Sequence, residues 1–165
     1  MTGKILAFDP GNEYTAYCLM DAETRRPIEF GKVENDIALR YLYSRKLDVE
    51  AVIIEMVASY GMAVGKSVFE TCVMIGRLIE ASKRIEKPYY YIYRIEEKSM
   101  ICHDSKAKDA NIRQALIDRF AQHDLKSGKG TKKNPDWFYG FAKDEWSAYA
   151  VGTTWLDKQE RVEKK

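Results

Sequence analysis

Cysteine is scarce in this chain: its 165 residues include three, Cys18, Cys72 and Cys102, widely spaced and without a Cys-x-x-Cys pair. That pattern excludes a disulfide framework and a structural zinc site, and makes a reducing cytoplasm the expected setting. Histidine is scarcer still, and His103 and His123 lack metal-ligand spacing with each other or with any cysteine. Long apolar runs are also missing. Ile5-Leu6-Ala7-Phe8 is far too short for a signal peptide, and no stretch approaches the roughly 18 apolar residues of a membrane span, so no membrane partner is expected. No internal repeat is visible. Nor does one sign of charge prevail: 27 basic side chains against 25 acidic ones leave +2, so any nucleic-acid signal must come from local clustering. What is abundant is core material, 45% hydrophobic residues with 12% aromatics. A chain of this length fits one folded domain.

The elements follow from hydrophobic period and from Gly and Pro punctuation. Strands are expected at Ile5 to Asp9, Tyr14 to Met20 and Ile28 to Val33, joined by short links as an antiparallel meander. Asn35 or Asp36 caps a helix through Ile37, Leu39, Tyr41 and Leu42. Ala51-Val52-Ile53-Ile54-Glu55 is apolar on both faces and reads as a central parallel strand. Ser67 to Ile85 has helical spacing, Tyr89 to Tyr93 is aromatic enough for a strand, and Ala110 to Phe120 and Lys143 to Leu156 are closing helices. The expected architecture is α/β, a mixed five-stranded sheet flanked by helices. Residues 1–158 would form the domain and 159–165 a charged tail that frays.

Three acids stand at element ends. Asp9 precedes Pro10-Gly11, which predicts a turn and a solvent-accessible carboxylate at the sheet edge; a simple turn former is the competing reading. Glu55 closes an unbroken apolar strand and is poorly explained by strand propensity. Asp144 begins the last helix, where capping is the bland alternative. Taken together, the three suit hard divalent ions, two of which about 4 Å apart clamp the attacking and leaving oxygens of a phosphodiester.

Ile-Leu-Ala-Phe-Asp9-Pro10-Gly11-Asn12, Val-Ile-Ile-Glu55 and Lys143-Asp144-Glu145-Trp146-Ser147-Ala148-Tyr149-Ala150 resemble the RuvC-type Holliday junction resolvases, particularly the phage-encoded branch. The resemblance runs from about residue 4 to residue 157. It implies a ribonuclease H-like fold, a homodimer, and paired nicks across a four-way DNA junction that depend on magnesium, or manganese in its place, with two ions per site held by Asp9, Glu55 and Asp144. The cellular family has a second acid on the final helix where this chain has Ser147, leaving that hydroxyl as a supporting group. An aromatic of the family, implicated in junction distortion, corresponds to Ala58, so Tyr60 or Met62 would take over as the wedge. The resemblance also asks for a basic group near the scissile phosphate, for which Lys106 and Lys108 are the candidates.

Between Lys98 and Lys133, nine basic residues face four aspartates, a local excess of +5. Within that stretch the segment Lys126-Ser-Gly-Lys129-Gly-Thr-Lys132-Lys133 reads as a flexible arm, its glycines allowing close approach to phosphates and its lysines neutralising them. Gly61-Met-Ala-Val-Gly65-Lys66-Ser67 mimics a phosphate-binding loop but has three residues between its glycines where four are needed, so no nucleotide cofactor is expected and Lys66 is left as a DNA contact. The expected activity is metal-dependent junction cleavage. The alternatives are a nuclease for flaps, other branched DNA or RNA-DNA hybrids, and a junction-binding protein with weak cleavage.

Overall fold

The computed structural model describes residues 3–46 and 48–164. Strands β1 (Lys4–Pro10), β2 (Tyr14–Asp21) and β3 (Pro27–Glu34) form the antiparallel meander that their short links require. The first turn passes so close to β2 that a Cβ on Gly11 would lie 2.5 Å from the Tyr14 carbonyl oxygen. Strand β4 (Ala51–Met56) joins β1 in parallel, and β5 (Tyr89–Tyr93) joins β4, giving the order β3-β2-β1-β4-β5.

Strand alternation divides the apolar side chains between two cores. Leu6, Phe8, Val52 and Ile54 face α1 (Asn35–Ser44) and α2 (Lys66–Arg84), where Leu42, Met74 and Leu78 pack on them. Ile5, Ala7, Cys18, Met20 and Ile53 face the other way, onto α5 (Glu145–Glu163) and its neighbour α4 (Asp109–Phe120). Every residue of α5 from Ala148 to Leu156 is buried, as expected of a helix enclosed on all sides.

That enclosure makes a prediction at Gly152. Alanine normally gains about 1 kcal/mol over glycine inside a helix. Here the added Cβ would meet Met20 Sδ at 2.4 Å and Ala7 Cβ at 3.2 Å, and both neighbours are fully buried. Overpacking typically costs about 1–3 kcal/mol, so Gly152→Ala is expected to lower the urea midpoint; a raised midpoint would mean that the α5–β1 contact is slack.

The fold departs from the sequence expectation in five places. A nine-residue helix, α3 (Arg94–Cys102), follows β5 directly, where no helix was expected. Strand β1 continues through Pro10, because the proline needs no donor on that side of the ladder and still pairs with Thr15, so Asp9 lies inside the strand. Residues 159–163 of the expected tail continue α5 as helix, with Glu160 accepting from Arg25 at 2.6 Å, and Lys165 lies outside the described residues. Strand β5 is an edge strand, which leaves Tyr90, Tyr91 and Tyr93 more open than alternation alone would. The fifth departure is the basic segment 126–135, which is tied down by the carboxylates described below. No helix among the described residues is long and apolar enough to cross a membrane.

Candidate active site

Strand register brings the first two acids together. Ala7 pairs with Ile53 and Phe8 with Ile54, so one further step sets Asp9 beside Glu55. Both share the parity of Ala7 and Ile53 and therefore project to the face covered by α5. Asp9 is thus a half-buried group in the sheet, not the open turn residue that Pro10-Gly11 suggested.

Their protonation follows from that placement. Burial raises the pKa of both carboxyls, well above the ordinary range for Glu55. The two carboxyls are close enough to act on each other, and a charge on Asp9 opposes ionisation of Glu55. Two carboxyls that share a proton in a partly dry site are the expected outcome when both cannot ionise. Arg94 and the Ser147 hydroxyl favour the charged form of Asp9, while the nearby Asp144 opposes it.

Helix α3 supplies a third buried acid that sequence reasoning missed. Glu97 is fully buried and its pKa is pushed up to about 8, by burial first, with Arg94 pulling it back. The Arg94 guanidinium donates to Glu97 Oε2 at 2.5 Å and to Asp109 Oδ1 at 2.6 Å, while Glu97 Oε1 has no partner. The signal for this helix was a capping pattern: Glu96 accepts the Tyr93 backbone N–H at 2.8 Å, and Arg94 and Glu97 form an i,i+3 pair.

Asp144 is placed differently from its two partners. It precedes the first turn of α5, and its carboxylate lies 3.1 Å from Lys32 Nζ on β3, with both side chains 43% exposed. Among the described residues, no group of three His, Cys, Asp or Glu side chains is arranged to hold a metal ion. Asp144 stays near enough to oppose the charge on Asp9 while it pairs with Lys32. The pair itself fits a divalent cation: both are hard oxygen donors, adjacent and partly withdrawn from water, and burial that disfavours their free charges is relieved by a bound dication.

A cavity of about 100 Å³ adjoins these groups, lined by Arg94, Asp109, Arg113, Lys143, Asp144 and Ser147. Neither Lys106 nor Lys108 lines it; both are exposed in the segment before α4. A larger open groove of about 660 Å³ lies away from the acids, and its charged wall is internally paired, Arg119 holding Asp157 at 2.6 and 2.8 Å.

The loop after Glu55 carries Tyr60, 59% exposed in a left-handed conformation, and Met62, 71% exposed. Lys66 opens α2 with its side chain in solvent, 3.5 Å from Glu70. His103 caps the end of α3 in a left-handed conformation, and His123 Nε2 lies 3.2 Å from the Asn134 carbonyl. The basic segment is anchored rather than flexible. Asp136 accepts the backbone N–H groups of Gln122, His123, Asp124 and Trp137 at 2.6–2.9 Å. Asp124 accepts those of Ser127 and Gly130 at 3.0 Å and the Ser127 hydroxyl. These bonds hold Lys126, Lys132 and Lys133 at the surface, with Lys129 half-buried.

No protein-family model and no curated sequence matches the chain. Solved structures do match. A structure of Thermus thermophilus RuvC is 14% identical, with 96% of each chain covered and a TM-score of 0.67. The fold is that of RuvC. A second match is T. thermophilus RuvC in complex with a Holliday junction substrate, at 11% identity, with 97% of this chain and 96% of that one covered and a TM-score of 0.69. Near-complete coverage means that the RuvC fold accounts for the mixed sheet and its flanking helices as a whole.

Proposed function

We propose that the chain is a structure-selective endodeoxyribonuclease that resolves four-way DNA junctions by metal-dependent phosphodiester hydrolysis. The observation that carries this reading is the half-buried Asp9–Glu55 pair on adjacent strands beneath the start of α5, in a fold whose solved examples include one bound to a Holliday junction. Asp9 and Glu55 would hold the magnesium or manganese. When bound, that cation would supply Lewis acidity toward a phosphoryl oxygen and toward water. The chain's own contribution is to present two adjacent carboxyls, to restrict solvent around them, and to disfavour their ionisation until a cation arrives. Lys126, Lys132 and Lys133 on their anchored loop would bind phosphates along the DNA arms, where counterion release makes affinity fall with salt.

The test compares junction, fork, flap, linear duplex and RNA-DNA hybrid substrates in magnesium and in EDTA. The proposal expects nicks in the junction, dependent on magnesium. Preference for another substrate would transfer the site to the branched-DNA or hybrid alternative.

A second reading, a junction-binding protein with weak cleavage, is favoured by the pairing of Asp144 with Lys32 and by Ser147 in place of an acid. Tight binding in EDTA with no nicking in magnesium would select it.

Cutting both strands calls for two copies. The exposed face of α2 presents Phe69 at 61% and Val73 at 66% exposure, one turn apart and beside the exposed Cys72, an apolar stripe suited to pairing with itself. Phe69→Asp is expected to convert a dimer to a monomer in light scattering and to replace paired cuts with single nicks. An unchanged dimer would place the interface elsewhere.

A further inference from the structure

The cavity beside the acid pair poses a charge problem. Any phosphodiester that reaches Asp9 and Glu55 approaches two carboxyls, with Asp144 and Glu97 close by. Cations must offset that repulsion. Arg94 is already committed, one guanidinium nitrogen to Glu97 and another to Asp109. Both acids that line the cavity are committed as well, Asp109 to Arg94 and Asp144 to Lys32. That leaves Arg113 and Lys143. Among the described residues neither forms a salt bridge, both are exposed, and both line the cavity together with Ser147. Arg113 is also held in place, its guanidinium carbon 5.7 Å from the centre of the buried Trp146 ring.

We infer that Arg113 and Lys143 form the anchoring site for the scissile phosphate, a role that the lysines preceding α4 do not fill. This rests on the nuclease reading above and adds to it the residues that seat the substrate. The chemistry of the lining favours this ligand: two unpaired cations and the Ser147 hydroxyl converge on one cavity, the donor set that an anionic phosphate oxygen calls for. The two cations differ in what they offer. Arg113 presents a planar fork whose geometry matches phosphate oxygens, and Lys143 a mobile point charge at the entrance of α5.

The test uses a synthetic junction whose scissile phosphodiester, mapped from the wild-type cut, is replaced by one uncharged methylphosphonate. Binding is measured in EDTA, so that cleavage plays no part. The wild type is expected to lose about tenfold in affinity for the neutralised junction. The double variant Arg113→Gln, Lys143→Met should lose about tenfold on the native junction and nothing more on the neutralised one, because the interaction is already gone. In magnesium the double variant should cut about a hundredfold more slowly, and Arg113→Lys with Lys143→Arg should recover most of the rate. Thermal melting establishes that the variant is folded, and Lys143→Met alone carries the test if the loss of Arg113 from Trp146 unfolds it. A variant that remains as sensitive to the methylphosphonate as the wild type, or that cuts at the wild-type rate, overturns the assignment while leaving the nuclease reading intact. A wild type that neither binds nor cuts any junction overturns both.

Discussion

Replacing either member of the acid pair, as Asp9→Asn or Glu55→Gln, is expected to slow junction cleavage in magnesium by on the order of a thousandfold, about 4 kcal/mol of barrier, while junction binding in EDTA is kept. Each substitution removes one of the two oxygen donors that strand register sets side by side, while Asp144 is paired with Lys32. A single remaining carboxyl holds a hard dication more weakly and leaves its position less fixed. The same substitutions should make the metal-free protein more stable. Burial raises both pKa values in the folded state, so the fold retains a proton that the unfolded chain releases. The sign follows: stability from this pair is greatest below the ordinary carboxylate range and is lost as pH rises through the folded-state values. Glu97, pushed up to about 8, acts in the same direction. Melting curves between pH 5 and pH 9 should therefore show wild-type stability declining and the Glu55→Gln variant declining less. Cleavage by Glu55→Gln at the wild-type rate would remove the pair from the chemistry, whatever its effect on stability.

Asp136→Ala is expected to have the largest effect on folding of any single substitution outside the central core. Its carboxylate is covered by its own loop, although that loop stands at the edge of the molecule with little bulk around it. Four backbone N–H groups converge on it, and these bonds hold its pKa far below the ordinary value despite desolvation. Alanine leaves the four donors without an acceptor, at a cost of about 1–3 kcal/mol for each that water cannot reach. A total loss of about 3 kcal/mol or more is expected in urea unfolding, together with release of the basic loop. Because the folded pKa is depressed, the contribution is present above the ordinary aspartate value and is lost as pH falls toward the folded one. Junction binding should weaken as the lysines lose their fixed spacing, and proteolysis should open near Lys129. A variant with wild-type stability and a loop still resistant to protease would show that the four bonds are dispensable.

The two predictions differ in how far they could be read from the residues. Asp9 and Glu55 were legible because an acid that ends an apolar strand breaks a strong local pattern, and strand register then places neighbours without further information. Asp144 was legible as a position but not as a partner, since the Lys32 that holds it lies across the molecule on β3. Arg94 and Glu97 escaped because α3 is short and polar, buries little beyond Glu97, and follows a strand with no Gly or Pro between them. The basic loop was misread for a related reason. Its glycines and lysines have the composition of a flexible arm, while the acids that fix it, Asp124 and Asp136, look like ordinary opposing charges until their backbone donors are seen. Arg113 lies on α4 and Lys143 in the turn before α5, and only the packing of those two elements brings them to one cavity.

The central claim is that Asp9 and Glu55 act as one site, protonated when empty and ready to take up a divalent cation. Calorimetric titration of the metal-free protein with manganese, in two buffers of different ionisation enthalpy, tests it most directly. The account predicts binding that releases protons, tightens as pH rises, and disappears in Asp9→Asn. Manganese uptake that releases no proton and is the same in wild type, Asp9→Asn and Glu55→Gln would contradict it.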